Sequence, residues 1–264
     1  MARNHTTATV DIQSQRDTRK IGIDKVGVKD ILYPITVLDR SAGSQHTVAK
    51  VSLYVNLSEQ LRATHMSRLV ELLNEHCHDM TTRAIPELLQ KMKRRLKART
   101  AHLEVSFPFF ILKKAPVSGV EGLLSYGCTV FGSAVRRVKL EIEVQVPITA
   151  LCPCSKALSE EGAHNQRGLV TVRFRQRQFV WIEEIIDMVE HSASCEMYSV
   201  LKRTDEKYVT EKAYRHPRFV EDVARLVAKK LLKHPRIEWF SVEVENQESI
   251  HAHNSYAFLT RSCP

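Results

Sequence analysis

The sequence predicts an α+β fold in which one order of elements, strand-strand-helix-helix-strand-strand, occurs twice. Two observations predict it. Segments with apolar residues at every second position, which are typical of strands, occur in groups. Between these groups lie segments with apolar residues three and four positions apart, which are typical of helices. The second half then repeats the order of elements in the first half without repeating its residues. We expect a polar N-terminal arm at 1–30, a first module at 31–133 and a second module at 134–264.

The first module begins with two strands, at Tyr33–Asp39 and Val48–Asn56. Two helices follow, each with an apolar face at three- and four-residue spacing, and two strands complete the half. The apolar sets of these four elements are Met66, Leu69, Val70, Leu73 and Cys77, then Ile85, Leu88, Leu89, Met92 and Leu96, then Leu103, Val105 and Phe107, then Leu124, Tyr126, Cys128 and Val130.

The second module contains the clearest strand, in which five apolar residues alternate with charged or polar ones. Sheets of this kind bury one face under helices, and the opposite face must meet a partner or water, which favours self-association. The apolar sets are Val138, Leu140, Ile142, Val144 and Val146 (strand), Val170, Val172 and Phe174 (strand), Ile182, Ile185, Ile186 and Val189 (helix), Val220, Val223, Ala224, Val227 and Leu231 (helix), Phe240, Val242 and Val244 (strand), and Tyr256–Thr260 (strand).

Composition narrows the class of protein. No apolar run approaches the roughly 20 residues that span a bilayer, and the polar N-terminus lacks the apolar segment of a signal peptide, so we expect a cytoplasmic protein that does not bind membranes. Six cysteines in a reducing compartment are expected to be thiols, metal ligands or nucleophiles. The net charge of +9 indicates an anionic partner, either nucleic acid or a phosphorylated small molecule.

The segment Cys152-Pro-Cys154-Ser-Lys156 is the first candidate for chemistry, because two thiols beside a lysine form an electropositive thiolate site. As a metal signal, Cys-x-Cys alone is weak, since it lacks the paired spacing of a structural zinc site. His164 lies in Gly162-Ala-His-Asn-Gln-Arg167, on the other side of the same connection. Cysteine and histidine together predict a partial metal site.

Three other positions carry candidate groups. Glu206 lies in a segment, Thr204–Val209, that we interpret as a polar loop between helices, and Glu221 lies on a helix. Alone, each is typical of an exposed carboxylate. The stretch Asn246–Asn254 joins two strands with more polar residues than a hairpin needs, including Glu248 and His251, and this excess favours a functional loop.

The two segments around Cys152 and His164 resemble the signature of the type IB GTP cyclohydrolases, metal-dependent enzymes at the head of bacterial folate synthesis. Other blocks are similar in the same order and extend the resemblance over nearly the whole chain. These blocks are Asp11-Ile-Gln13 with Gly27-Val28, Thr204-Asp-Glu-Lys-Tyr208, Phe219-Val-Glu-Asp222 and Asn246-Gln-Glu-Ser-Ile-His251.

The resemblance implies the tunnelling fold, with two tandem modules per chain, each an antiparallel sheet with two helices on one face. It also implies a homotetramer with active sites at subunit interfaces. The implied reaction converts GTP and water to 7,8-dihydroneopterin triphosphate and formate, the first step of tetrahydrofolate biosynthesis. In that reaction, a metal-activated water attacks C8 of guanine.

The resemblance also implies residue roles. Cys152, His164 and Glu206 match the ligands of one divalent metal ion per active site, and a Cys/His/Glu set admits zinc, manganese or iron. Cys154 is the neighbouring thiol, able to substitute as a ligand or to take part in redox control. Glu221 matches the glutamate that anchors the purine. The positions proposed for proton transfer fall on Glu248 and His251, and our own assignments for phosphate contacts are Lys156 and Arg167.

Two rival hypotheses remain open at the level of sequence. The first is another tunnelling-fold enzyme, acting on a different purine or pterin with Cys152 or Cys154 as nucleophile. The second is a basic nucleic-acid-binding protein that uses the run Lys91–Lys97. The absence of interleaved aromatic residues near that run argues against it. We therefore predict GTP as the partner and no nucleic acid.

Overall fold

The computed structural model describes residues 12–13, 15–76 and 84–263. Within these ranges nine strands form one sheet, accompanied by six helices. Asp11 and Cys77, which the sequence analysis used, lie outside the described residues. None of the described helices has the length and apolar character that crossing a membrane requires.

The first half of the chain has the predicted order of elements. The second half adds two helices and a short strand to that order. The elements of the first half are β1 (Ile23–Asp39), β2 (Gly43–Leu57), α1 (Met66–His76), α2 (Ala84–Arg95), β3 (Ala101–Lys114) and β4 (Glu121–Ala134). Those of the second half are β5 (Val138–Leu151), α3 (Pro153–Leu158), β6 (Asn165–Gln176), α4 (Ile182–Glu190), β7 (Cys195–Glu196), α5 (Arg203–Arg215), α6 (Val220–Leu232), β8 (Ile237–Gln247) and β9 (Ser255–Ser262).

The strands follow one another in the order β1-β2-β3-β4-β5-β6-β8-β9, with β7 beside β5. Every neighbouring pair is antiparallel. Alternate residues of the strands are buried with the apolar faces of α1, α2, α4 and α6 in one hydrophobic cluster that includes both halves. The predicted α+β fold is therefore confirmed. Because the sheet continues from β4 into β5, the division of the chain at residues 133 and 134 remains a prediction.

The start predicted for the first strand is wrong, because β1 begins at Ile23, within the predicted N-terminal arm, rather than at Tyr33. The pairing of β1 with β2 is irregular between Val28 and Ile31, and Asp30 has a φ of 57°. Such a bulge shifts which side chains face the core. The alternation of apolar and polar residues is broken there, so periodicity alone missed more than half of the strand, residues 23–32.

The segment around Glu206 was also wrongly interpreted, since it is helical and not a loop. Residues 203–215 form α5, which is mostly polar and buries only Asp205 and Ala213 fully. A helix with so narrow an apolar face gives a weak periodic signal. The carboxylate of Asp205 accepts a hydrogen bond from the backbone N–H of Lys202 at 2.8 Å and so closes the first turn.

Candidate active site

Residues from three separate parts of the second half line a cavity of about 300 Å³. They come from the turn between β5 and β6, from the start of α6 and from the connection between β8 and β9. Of the predicted site residues, the cavity brings together Cys152, His164, Glu221, Glu248 and His251. A larger cavity of about 840 Å³ lies beside the end of β2 and the start of α1, and its described lining includes no cysteine. We therefore place the candidate chemistry at the smaller cavity.

Cys152 stands where β5 ends and α3 begins. Pro153 occupies the first helical position, which suits its fixed φ and missing N–H. The Cys152 sulfur accepts a hydrogen bond from the backbone N–H of Ser155 at 3.4 Å. Cys154 is exposed and is not part of the cavity lining. The helix start therefore separates the two cysteines and puts Cys152 at the cavity.

His164 is held against this turn by its backbone. Its carbonyl accepts from the N–H of Cys152 at 3.2 Å, and its own N–H donates to the Ser155 hydroxyl at 3.2 Å. The ring Nδ1 lies 3.1 Å from Gln166 Oε1. Since an amide oxygen only accepts, this contact selects the tautomer protonated on Nδ1. Nε2 then carries the lone pair, the arrangement that a metal-ligating histidine requires.

Glu206 is exposed on α5 and is not part of the cavity lining. Val209 and Ala213, three and seven positions later on the same helix face, pack with Leu151 and Ala163. Leu151 and Ala163 immediately precede Cys152 and His164 in the sequence. Val209 and Ala213 thus hold α5 against the turn that carries the other two predicted ligands, while Glu206 itself is exposed. Across the described ranges, however, no three His, Cys, Asp or Glu side chains come close enough to hold a metal ion.

Two carboxylates and a histidine also line the cavity. Glu221 is the second residue of α6, whose first turn is closed by the Asp222 carboxylate accepting from Phe219 N–H at 3.1 Å. Glu248 directly follows β8 and accepts a hydrogen bond from the Ser255 hydroxyl. In the same connection the ring of His251 stacks on that of His253, with 5.1 Å between centroids.

The two residues assigned to phosphate contacts are not part of the cavity lining. Lys156 Nζ donates to the Tyr214 carbonyl at 2.6 Å and lies 4.3 Å from the centre of the Tyr214 ring. Arg167 is exposed on β6, and its neighbour Gly168 is buried on the opposite, helix-covered face of the strand. Within one chain, neither cation is brought to the cavity.

The comparisons with known proteins agree on one family. A family model described as type I GTP cyclohydrolase folE2 matches residues 9–257. A relative from Magnetococcus marinus, named GTP cyclohydrolase FolE2, is 55% identical over 252 residues, which cover 94% of each chain. A relative of the same name from Syntrophobacter fumaroxidans is 54% identical over 255 residues, covering 96% of this chain and 99% of the other.

The chain belongs to this GTP cyclohydrolase family. The predicted resemblance is confirmed over nearly the whole length of the chain. With a match of this extent, the family's reaction becomes the starting point for interpreting the cavity.

Solved structures of urate oxidases share the fold of this family member at much lower sequence identity. Urate oxidase from Bacillus sp. TB-90 superposes with a TM-score of 0.55 at 9% identity and covers 91% of this chain and 100% of its own. The enzyme from Bacillus subtilis superposes with a TM-score of 0.53 at 8% identity, covering 90% and 98%. This likeness concerns the fold alone, and it confirms the predicted tunnelling fold.

Sequence reasoning missed several residues of the cavity in this family member. Asn246 lay inside a segment singled out for its polarity, but only as part of a loop, whereas it is the penultimate residue of β8. Gln166 lay inside the segment Gly162–Arg167 but had no predicted role of its own. No sequence signal marked Arg218, since an isolated polar residue beside a helix start is common. The lining residues without a predicted role are Gln166, Arg218, Phe219, Val220, Asn246, His253 and Ser255.

Proposed function

We propose that this member of the GTP cyclohydrolase family converts GTP and water to 7,8-dihydroneopterin triphosphate and formate, the first step of tetrahydrofolate biosynthesis. One observation carries the proposal at the level of the site. A single cavity is lined by Cys152, His164, Glu221, Glu248 and His251, which come from three separate segments of the chain. These residue types supply soft and imidazole donors together with groups that bind a base and move protons.

We propose Cys152, His164 and Glu206 as the ligands of one divalent metal ion, for which zinc, manganese and iron are all suitable. The donor set fits such an ion, because sulfur and imidazole lie at one cavity and the tautomer of His164 leaves Nε2 available. The bound ion would supply a Lewis acid that makes hydroxide available near neutral pH. Cys154, the second thiol of the segment, lies outside the cavity. We propose that it takes part in redox control or substitutes as a metal ligand.

The remaining groups act on the substrate directly. We assign the Glu221 carboxylate to accept hydrogen bonds from the ring N–H and exocyclic amine of guanine, a charge-assisted pairing. Glu248 and His251 are assigned to the proton transfers of ring opening and formate loss, since a carboxyl and an imidazole can hold and release protons in turn. Lys156 and Arg167 stay as proposed phosphate contacts.

We also propose assembly into a homotetramer. On the face of the sheet away from the helices, the edge strand β9 exposes Tyr256 and Phe258, which are 58% and 55% accessible, and Leu169 lies on the same face two strands away. Exposed apolar side chains on an unpaired edge are typical of a surface that another chain covers. The predicted cytoplasmic location stays a prediction.

The basic run Lys91–Lys97 gives little support to a nucleic-acid partner. Lys91 pairs with Glu87 at 2.9 Å, and Arg95 pairs with both Glu71 and Glu75 at 2.7 and 2.6 Å. Each of these cations already has a carboxylate beside it, so less of the charge is available for phosphates.

The test is incubation of the purified protein with GTP and Mn²⁺, Zn²⁺ or Fe²⁺, followed by assays for formate and pterin fluorescence. We expect both products with at least one metal, and their absence with all three would overturn the proposal. Metal content and turnover of Cys152→Ala and Cys154→Ala, measured in parallel, then separate the two thiols. We expect Cys152→Ala to lose metal and activity together while Cys154→Ala retains metal. A trapped covalent adduct in a protein without metal would instead favour a cysteine nucleophile.

A further inference from the structure

Asn246 occupies a position in β8 where the strand otherwise places apolar residues. The helix-covered face of β8 carries Phe240, Val242 and Val244, all fully buried, and Asn246 is the next residue in this row. Asn246 is itself only 2% exposed. A carboxamide buried at the end of an apolar row is unfavourable unless its polar atoms are paired.

The carboxamide oxygen of Asn246 is not paired. Its Oδ1 is inaccessible to solvent and has no hydrogen-bond partner among the described residues. Native proteins pair the great majority of such atoms, so an exception calls for an explanation. Because Asn246 lines the cavity that holds Cys152, His164 and Glu221, a bound ligand is the natural partner.

The fold makes specific room for this side chain. Gly168 of β6 is the register partner of Asn246, and a Cβ on Gly168 would overlap with Asn246 Oδ1. It would also lie 3.0 Å from Cγ1 of Ile148. Only a glycine at this position therefore leaves room for the carboxamide oxygen of Asn246 beside β6. Glycine in a strand interior commonly marks such a close approach.

A second unpaired atom borders the same cavity. Arg218 Nε is inaccessible to solvent and has no partner among the described residues, while the Arg218 backbone N–H donates to the Leu151 carbonyl at 3.0 Å. Arg218 lies three residues before Glu221. The lining of the cavity therefore includes Asn246, which has an unused acceptor, and Arg218, which has an unused donor, together with Glu221.

We propose that Asn246 and Arg218 are base-recognition residues, with Asn246 Oδ1 accepting from the exocyclic amine of guanine and Arg218 Nε donating to its carbonyl oxygen. This inference rests on the proposed function. A carboxylate that binds the ring N–H and one amine hydrogen leaves the second amine hydrogen and the carbonyl unpaired. The two orphan atoms have the matching polarities.

The test compares Asn246→Leu, which keeps a similar volume, with the matched control Asn254→Leu. Asn254 is exposed in the connection between β8 and β9 and is not part of the cavity lining. Binding of GTP and of inosine triphosphate, which lacks the exocyclic amine, is measured by calorimetry on the full-length protein. A chelator is present to stop turnover. We expect Asn246→Leu to weaken GTP binding about tenfold or more and to leave binding of inosine triphosphate nearly unchanged. The control should bind both as the wild type does.

Thermal unfolding separates recognition from a structural role. Removing an unpaired buried polar group should leave the melting temperature of Asn246→Leu equal to or above that of the wild type. Unchanged GTP binding, or equal losses for both nucleotides together with a lower melting temperature, would overturn the inference. Failure of the wild type to bind GTP at all would instead count against the proposed function.

Arg218→Lys provides an independent test of the role of Arg218. Lysine keeps the positive charge but has no N–H group where arginine has its Nε–H. The probe is diaminopurine riboside triphosphate, in which an amine replaces the carbonyl of guanine. We expect Arg218→Lys to weaken GTP binding more than binding of this analogue. Equal effects on both nucleotides would remove Arg218 from the proposal.

Discussion

The carboxylate of Asp205, in α5, accepts a 2.6 Å hydrogen bond from the hydroxyl of Ser118, in the turn between β3 and β4. The same carboxylate accepts from the backbone N–H groups of Val117 and Ser118 at 2.8 Å and from that of Lys202. Burial alone would raise the pKa of Asp205, but these hydrogen bonds lower it well below its ordinary value. The first half of the chain is thereby fixed to the helix that carries Glu206, the next residue.

Asp205→Ala should destabilise the protein and loosen the position of Glu206. The substitution leaves the backbone N–H groups of Val117, Ser118 and Lys202 without their carboxylate acceptor, which is costly. We expect a melting temperature lower by several degrees and weaker metal binding, measured by differential scanning calorimetry and by titration with Zn²⁺. Ser118→Ala removes one of the four hydrogen bonds and should have a clearly smaller effect. Equal melting temperatures for Asp205→Ala and the wild type would contradict this role.

Gln166→Leu should weaken metal binding, because Gln166 Oε1 fixes the ring of His164 through Nδ1 at 3.1 Å. Loss of such an outer partner typically lowers metal affinity about 10- to 100-fold. The measurement is competition for Zn²⁺ against a chelator of known affinity. The matched control is Gln247→Leu, an exposed glutamine on the neighbouring strand that is not part of the cavity lining. Identical Zn²⁺ affinities in the two variants would exclude an orienting role for Gln166.

Gly168→Ala should disturb both stability and GTP binding. The added Cβ would overlap with Asn246 Oδ1 and press on Ile148, and inserting a methyl group into a packed core typically costs about 1–3 kcal/mol. We expect a lower free energy of unfolding in urea and weaker GTP binding. Gly22→Ala is the control, because its Cβ would meet nothing nearer than 3.5 Å. If Gly168→Ala were as stable as Gly22→Ala, the close packing of Asn246 over β6 would be disproved.

Protonation of Glu196 should make the protein less stable in acid. Burial tends to raise the pKa of Glu196, but hydrogen bonds from Lys212 and Tyr198 outweigh this and lower it from 4.5 to about 2. Since the folded-state pKa is depressed, the stabilisation is present above about pH 4.5 and is lost as the pH falls towards 2.

Glu196→Gln should be less stable than the wild type at pH 7 and lose less stability between about pH 4.5 and pH 2. Urea unfolding at several pH values gives both quantities. Glu211→Gln is the control, since Glu211 forms surface pairs with Lys207 and Arg215 that contribute little. Parallel pH curves for the wild type and Glu196→Gln would show that Glu196 does not carry the effect.

Most of the fold could be predicted from the sequence where the periodicity was regular. The alternation from Val138 to Val146 predicted β5, and the apolar spacing from Val220 to Leu231 predicted α6. The prediction failed at residues 23–32, where a bulge breaks the alternation, and at α5, whose apolar face is too narrow to be detected.

The sequence by itself determined the α+β order of elements, the family and the residue types of the site, because short-range spacing and local motifs are properties of the chain. Only the tertiary structure decided which of those residues meet. It put Cys152 at the cavity and Cys154 outside it, through the helix that starts between them. It also revealed Asn246 as a buried residue whose carboxamide oxygen is unpaired beside Gly168, because strand register, which the sequence does not display, aligns these two residues.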